Sequence, residues 1–352
     1  MNHDMDIQKT EHPTESRPLP NQHFPACFVE FCDGNKSRSA AFYLAAEEYI
    51  ARNLPADNYL FTWIVSPTVV IGRNQSVEEE VNLPYCREHH IDVVRRKSGG
   101  GCIYADEGNI MTSWITGSGA VEPLFAEYAA QVCSCLRNLG APVEVSGRND
   151  IRLSEGGKIC GNAFYHLPER NIVHGTMLYD TANSHMGQVL LPSPNKLKHH
   201  GVQSVRSRIG LLKDVLDIDI YTLRNHLRQS LCDRTLRLSA TDTQAIEAIE
   251  TQYYQSAYRV PTQSAHAIRH SAYIPHCGTL TILLEVAPDG KINGVDLTGD
   301  FFENENADAA FRKALTGKAY TKAELTDAVL ATHPETSIRG LTTDALMDLL
   351  TP

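Results

Sequence analysis

Ala and Leu recur at helical spacing through KSRSAAFYLAAEEYIARN, Lys36 to Asn53, with Ser37 or Ser39 placed to cap the first turn. Two strands are expected at Leu60–Ser66 and Val69–Gly72, around Pro67. A helix starts at Asn82 before Leu83-Pro84 and runs to about His90, and the β-branched run Ile91–Arg95 follows as a strand. Asn109–Thr116 reads as a strand, and Val121–Leu139 as a helix stopped by Gly140 and Pro142. Strands near Lys158–His166 and Ile172–Tyr179 form a hairpin turning at Pro168–Asn171. Past Asp180 the pattern loosens. Leu190–Arg208 is loop-rich, helices follow near Tyr221–Cys232 and Asp242–Tyr254, and 255–275 reads as a linker. Leu280–Val286 and Ile292–Leu297 then straddle a Pro288-Asp289-Gly290 turn, before amphipathic stretches at Ala307–Leu315, Lys322–Leu330 and Thr342–Leu350.

Short strands interleaved with helices, several joined as hairpins, favour α+β with a mixed or antiparallel sheet over a doubly wound parallel one. The expected organisation is a flexible tail at 1–30, a large domain at 31–260 and a small α+β domain at 261–352. The first 24 residues are polar and proline-rich with no apolar core segment, which argues against a targeting peptide. YLFTWIVSPTVVIG, the longest apolar stretch, is interrupted by Ser66 and Pro67 and is too short to span a bilayer. Lys plus Arg number 32 against 42 Asp plus Glu, a net charge of −10, which disfavours a nucleic-acid partner. Nine scattered cysteines with no CxxC and no metal-type spacing suit reduced thiols in a cytoplasm.

Two segments concentrate the chemistry. RRKSGGGCIY, from Arg95 to Tyr104, sets three basic side chains one serine from three glycines. Glycines let backbone N–H groups approach an anion closely. The triplet lacks GxGxxG spacing and leads into β-branched Ile103 instead of a helix, and no GxxxxGK[ST] exists, so neither a dinucleotide fold nor a Walker loop is indicated. Strand alternation would point only one or two of Arg95, Arg96 and Lys97 at a ligand; a solvated basic flank is the competing reading. The second segment, GRNDIRLSEGGKICGNA, surrounds Lys158 with Gly157, Cys160, Gly161 and Ala163, which clears space for one ammonium group. Asn149 and Asp150 add an amide and a carboxylate suited to a nucleobase, a ribose or Mg²⁺, though Asp150 could equally serve a local turn. His174, on the strand paired with that of Lys158, could face the same cleft; a structural hydrogen bond is its commoner role. Neither Cys102 nor Cys160 has a histidine nearby in sequence to lower its pKa.

RRKSGGGCIYADEGNI, GRNDIRLSEGGKICGNAFY, VHGTMLYD and GVQSVRSRIG, in that order, resemble the lipoate–protein ligases. GKINGVDLTGDFF, ALTGKAYTKAELTDAV and IRGLTTDALMDLL resemble that family's accessory domain, so the resemblance runs from about Ser39 to the C-terminus. It implies a catalytic domain of the biotin/lipoate ligase type at 31–260 and an accessory domain at 261–352. It further implies activation of lipoate by ATP to lipoyl-AMP, then transfer to a lysine of an acceptor: lipoyl domains of 2-oxoacid dehydrogenase complexes, or the glycine cleavage H protein. ATP with Mg²⁺ would be a co-substrate, with no permanently bound cofactor, no nucleic acid and no membrane. By resemblance Lys158 is the catalytic residue and also contacts both substrates. Arg96, Gly101, Cys102, Ile103, Tyr104, Asn149 and Asp150 would bind ATP, with Asp150 toward Mg²⁺. Ser98, Gly99, Gly100, Gly161 and His174 would line the lipoate slot.

Burying about seven methylene equivalents at ~0.8 kcal/mol each gives an upper bound of roughly 5–6 kcal/mol, which favours an eight-carbon chain but leaves octanoate a plausible second substrate. The chain departs from the family pattern at Cys160, where Ser or Ala is common, at Cys102, where a small apolar residue is usual, and at Val173, which replaces one of a frequent histidine pair. The two thiols raise the idea of redox sensitivity or exchange with the substrate's dithiolane. Three alternatives remain: an ATP-independent octanoyl- or lipoyl-transferase of the same superfamily, a biotin ligase, and a non-catalytic lipoyl-domain binder. The stretch LLPSPNKLKHHGVQS holds no cysteine for the first, and the glycine and lysine motifs fit lipoate-type sites better than the second. The intact Arg96, glycines and Lys158 disfavour the third. Lys196, Lys198, Arg206 and Arg208 are candidates for docking an acidic acceptor or for the ATP loop.

Overall fold

The computed structural model describes residues 26–34, 37–117, 119, 121–147, 150–191, 209–255 and 267–350. Asn149, Lys196, Lys198, Arg206 and Arg208 lie outside the described residues. The strands in chain order are β1 (Ala26–Glu30), β2 (Tyr59–Trp63), β3 (Thr68–Ile71), β4 (Asp92–Arg95), β5 (Ile103–Ala105), β6 (Asn109–Gly117), β7 (Val143–Ser146), β8 (Asp150–Leu153), β9 (Lys158–Leu167), β10 (Arg170–Leu178) and β11 (Cys232–Arg237). β12 (Ala267–Ile274), β13 (Gly278–Val286) and β14 (Ile292–Gly299) follow. Eight of them form one sheet in the order β11-β1-β2-β6-β10-β9-β8-β7. β1 runs parallel to β2 and β11, and the other pairs are antiparallel, as the mixed-sheet expectation requires.

Apolar residues cover both faces of this sheet, so its central strands show no hydrophobic alternation. On β6, Ile110 and Trp114 join one core with Leu136 and Leu227, from helices Val121–Asn138 and Ile220–Leu231. Met111 and Ile115 join the other, with Phe42 and Ile50 of helix Ala40–Asn53 and Tyr253 of helix Ala240–Gln255. Helix Ala40–Asn53 is thus sandwiched between sheet and helix. Ser39 caps it, its hydroxyl accepting from the Phe42 amide at 3.0 Å. A second sheet, β4-β3-β5, carries the glycine triplet between β4 and β5.

Five strands depart from expectation. Ala26–Glu30 falls inside the expected tail but is an internal strand, which parallel pairing on both sides buries. Ala267–Ile274 falls inside the expected linker but is an edge strand paired along its length with β13, its apolar signal diluted by Arg269, His270 and Ser271. The short strands β7, β8 and β11 were not anticipated, being only four to six residues long with charges in the run.

The small domain stacks helices Ala307–Leu315, Lys322–Thr332 and Thr343–Leu350 on β12-β13-β14. It seats directly against the glycine triplet. The Gly100 amide donates to Phe301 O at 3.1 Å, the Gly299 amide to Asn74 O at 2.8 Å, and Arg73 pairs with Glu303 at 3.4 Å. A Cβ on Gly99 would lie 2.4 Å from Phe301 O, whereas one on Gly101 would meet nothing within 4 Å. Gly99→Ala should therefore cost about 1–3 kcal/mol by overpacking and lower the thermal midpoint by roughly 2–10 °C. Gly101→Ala should stay within about 2 °C of the parent by scanning calorimetry, since a helpful or harmful clash is absent there.

Candidate active site

The triplet's basic flank is bonded internally, with Arg95 and Arg96 buried and Lys97 partly exposed. Arg95 is 4% exposed, and its guanidinium donates to the carbonyls of Gly72, Arg73 and Gln75 at 2.9, 3.1 and 2.7 Å. Arg96, also buried, donates to Ser98 Oγ at 2.9 Å, Val70 O at 3.1 Å, Gly99 O at 2.7 Å and Gly101 O at 2.8 Å. Burial pulls its pKa down to about 10, which leaves it protonated at neutral pH. Lys97 pairs with Glu48 of helix Ala40–Asn53 and sits 4.9 Å over the Tyr253 ring. All three cations hold the protein's own framework in place.

Beside this loop lies a cleft of about 130 Å³. Arg96, Gly100, Gly101, Cys102, Ile103, Lys158, Gly161 and His174 all line it, so eight positions singled out in the sequence converge on one cavity. Leu44, Trp63, Val70 and Met111 supply an apolar wall. Ser98 and Gly99 are buried and are not among the lining residues. Tyr104 is not in the cleft; its ring is 1% exposed and packs with Val69, Ile71 and Leu178 under the small sheet.

Lys158 opens β9 and forms an ion pair with Asp150 of β8, 2.8 Å from Oδ1. The clearing expected around it is real at Gly161. A Cβ there would fall 2.7 Å from both Cε and Nζ of Lys158. Gly175, which follows His174 on β10, is equally constrained: its Cβ would lie 2.3 Å from Asn162 Oδ1. His174 is 8% exposed; it lines the cleft and is also a structural hydrogen-bonder, with Ser98 Oγ on one nitrogen and Glu47 on the other. Cys160 is buried, and burial pushes its thiol up to about 12, so it supplies no thiolate at neutral pH. Cys102 is partly exposed at the cleft wall.

Phe302 of the small domain completes the cleft, its ring stacked on Phe164 with centroids 5.2 Å apart. Sequence reading missed Phe302, Trp63, Met111 and Glu47. Only Glu47 left a local signal, as half of an acidic pair within the otherwise apolar run Ala40–Ala51. Among the described residues, no group of three or more His, Cys, Asp or Glu is placed to hold a metal ion, and no helix is long and apolar enough to cross a membrane.

Residues 39–232 match the family model for the lipoyl protein ligase A/B catalytic domain, and residues 264–350 that for the bacterial lipoate protein ligase C-terminus. The chain is 31% identical over 332 residues to lipoate-protein ligase LplJ of Bacillus subtilis, covering 91% of this chain and 99% of that protein. It is likewise 31% identical over 283 residues to lipoate–protein ligase 1 of Staphylococcus aureus, covering 78% and 85%. Among solved structures, Plasmodium falciparum LipL1 in complex with lipoate superposes with a TM-score of 0.73 at 17% identity, over 92% of this chain and 97% of that one. A lipoate-protein ligase A bound with ATP gives 0.56 at 23% identity, over 67% of this chain and 100% of that one. A catalytic model spanning the glycine and lysine segments, an accessory model spanning the small domain, and relatives matched over nearly their whole length agree: this chain belongs to the lipoate–protein ligase family.

Proposed function

We propose that the cleft activates free lipoate with ATP and passes the lipoyl group to a lysine of an acceptor lipoyl domain, with Lys158 as the group that serves both steps. The observation that carries this reading is Lys158 itself: an ammonium in a clearing kept open by Gly161, ion-paired to Asp150, at the edge of a cleft with an apolar wall and a glycine-loop wall. In the first step a lipoate carboxylate oxygen attacks the α-phosphorus of ATP, and pyrophosphate leaves. Two anions must approach each other, and a fixed cation between them lowers that repulsion in both ground and transition states. In the second step the acceptor's neutral amine attacks the lipoyl carbonyl carbon. The amide forms, AMP leaves with the C–O bonding pair, and one proton is released. Negative charge builds on the carbonyl oxygen, again within reach of a cation in the cleft.

Asp150 is the one acidic side chain bonded to Lys158 among the described residues, and it fits a Mg²⁺ that travels on the nucleotide's phosphates and takes one carboxylate from the protein. Such an ion would supply charge neutralisation of the phosphates. The apolar wall of Leu44, Trp63, Val70 and Met111 suits the lipoyl chain. Arg96 and the triplet shape the wall that would meet the adenylate, and Tyr104 would act only through the packing beneath it. The candidate acceptors remain lipoyl domains of 2-oxoacid dehydrogenase complexes or the glycine cleavage H protein. With nine free thiols, the chain suits the cytoplasm.

The ATP-independent transferase needs a cysteine nucleophile, and the burial of Cys160 removes one of the two cleft-side thiols from that role. The decisive measurement is the mass of a purified apo lipoyl domain. A lipoyl mass gain is expected with free lipoate, ATP and Mg²⁺ and none when ATP is left out; gain from an acyl-carrier thioester alone would instead establish the transferase. Lys158→Ala should abolish lipoate-dependent pyrophosphate release while leaving the circular dichroism spectrum unchanged. Near-parental release would refute the role given to the lysine. Gly161→Ala should displace the lysine tip at little cost to folding, so kcat/KM for adenylation should fall by about 10- to 100-fold with the thermal midpoint nearly constant.

A further inference from the structure

Glu47 lies mid-helix in Ala40–Asn53 and is 3% exposed, yet among the described residues no lysine or arginine bonds to it. Its carboxylate instead meets an imidazole ring and a hydroxyl. His174 Nδ1 lies 3.2 and 3.0 Å from the two oxygens, and Ser113 Oγ lies 2.6 Å from Oε1. The sheet register delivers both donors together, because Ser113 on β6 and His174 on β10 are direct cross-strand partners. Each donor is itself the end of a chain. Trp63 Nε1 donates to Ser113 Oγ at 2.8 Å. Arg96 Nε donates to Ser98 Oγ at 2.9 Å, and Ser98 Oγ lies 2.7 Å from His174 Nε2.

Donor chemistry gives these contacts a direction. A guanidinium N–H and an indole N–H can only donate. Ser98 accepts from Arg96 and keeps its own hydrogen to give, and His174 Nε2 is an acceptor within reach of it. With Nε2 accepting, the imidazole proton sits on Nδ1 and is given to Glu47. Ser113, accepting from Trp63, gives its hydrogen to the same carboxylate. Both chains end on one acceptor.

The two rings at issue, Trp63 and His174, line the cleft, while Ser98 and Ser113 are buried and do not line it. Glu47 consequently draws the ring N–H of His174 directly, and that of Trp63 through Ser113, away from the cavity. An apolar acyl chain bound there would meet ring surface with its polar hydrogens already satisfied. A freed N–H would have to be desolvated against hydrocarbon, at the penalty of an unpaired buried donor.

We propose that Glu47 is a positioning residue for the acyl-binding wall: it fixes His174 in the Nδ1–H tautomer and, through Ser113, the indole of Trp63. This rests on the lipoate reading of the cleft. The test combines lipoate binding, steady-state adenylation and ¹⁵N spectra of histidine-labelled full-length protein. Glu47→Leu should weaken lipoate binding and raise its KM about tenfold, with the KM for ATP within about twofold. Glu47→Gln keeps an amide oxygen to accept the Nδ1 proton and should recover lipoate affinity to within about threefold of the parent. His174 should give the Nδ1–H signature in the parent and in Glu47→Gln, and lose it in Glu47→Leu.

A merely structural role would lower kcat with active fraction and leave the two KM values in proportion. That pattern, equal losses in the Gln and Leu variants, or an Nε2–H tautomer in the parent would each overturn the proposal. The parental spectrum needs no variant, so it decides the relay even if Glu47→Leu fails to fold. A parent that binds no lipoate would refute the function proposed for the cleft, and the spectra would still judge the relay separately.

Discussion

A charged guanidinium can stay in a protein interior only if its N–H groups find acceptors there. Arg96 meets that condition by bonding the loop that follows it. The carbonyls of Gly99 and Gly101, the Ser98 hydroxyl and the carbonyl of Val70 on the neighbouring strand all converge on one side chain. This clasp sets the peptide planes of the triplet, and the triplet's shape is what other parts of the molecule fit. Gly72 comes so close to Gly100 that a Cβ there would overlap the Gly100 carbonyl oxygen, at 2.0 Å. The small domain's Phe301 and Phe302 rest on Gly99 and Gly100 from the other side. Three glycines in a row are needed less for open space than for close approach on two sides.

The helix Ala40–Asn53 holds the same loop from behind with consecutive carboxylates that diverge. Glu47 reaches the loop through His174 and Ser98, and Glu48 reaches it through Lys97. Burial works against ionising Glu48, but the hydrogen bonds and charges of Lys97 and Arg52 prevail and hold its carboxyl below the usual range. Sheet, helix and loop thereby share one polar seam inside a layer that is otherwise hydrocarbon. A seam of this kind is stable only when every member is paired, so it specifies one arrangement of the cleft walls more sharply than apolar packing would.

Much of this was legible from residue order. The helix at 40–53, the β9–β10 hairpin and the small domain's alternating elements carry strong periodic signals, and the structure places them within a few residues of expectation. Lys158 among small residues announced the clearing that Gly161 keeps. The internal strand β1 and the edge strand β12 did not announce themselves. One is a short apolar run beside a polar tail, and the other mixes Arg269 and His270 into its pattern, so only their pairing partners make them strands.

The sequence by itself determined the chemistry on offer: a lysine in a clearing, a glycine loop after a basic run, and an accessory domain, in an order that resembles one family. Tertiary structure alone decided what the charges do. Alternation along a strand cannot reveal that Arg95, Arg96 and Lys97 are all consumed by internal acceptors, because those acceptors come from residues 48, 70, 72, 73 and 75 as well as from the loop itself. Nor could it reveal that Glu47 stands behind His174, since that contact exists only where a helix some 127 residues earlier packs across the sheet. Hydrogen bonds depend on distance in space, and distance in space is what folding adds to residue order.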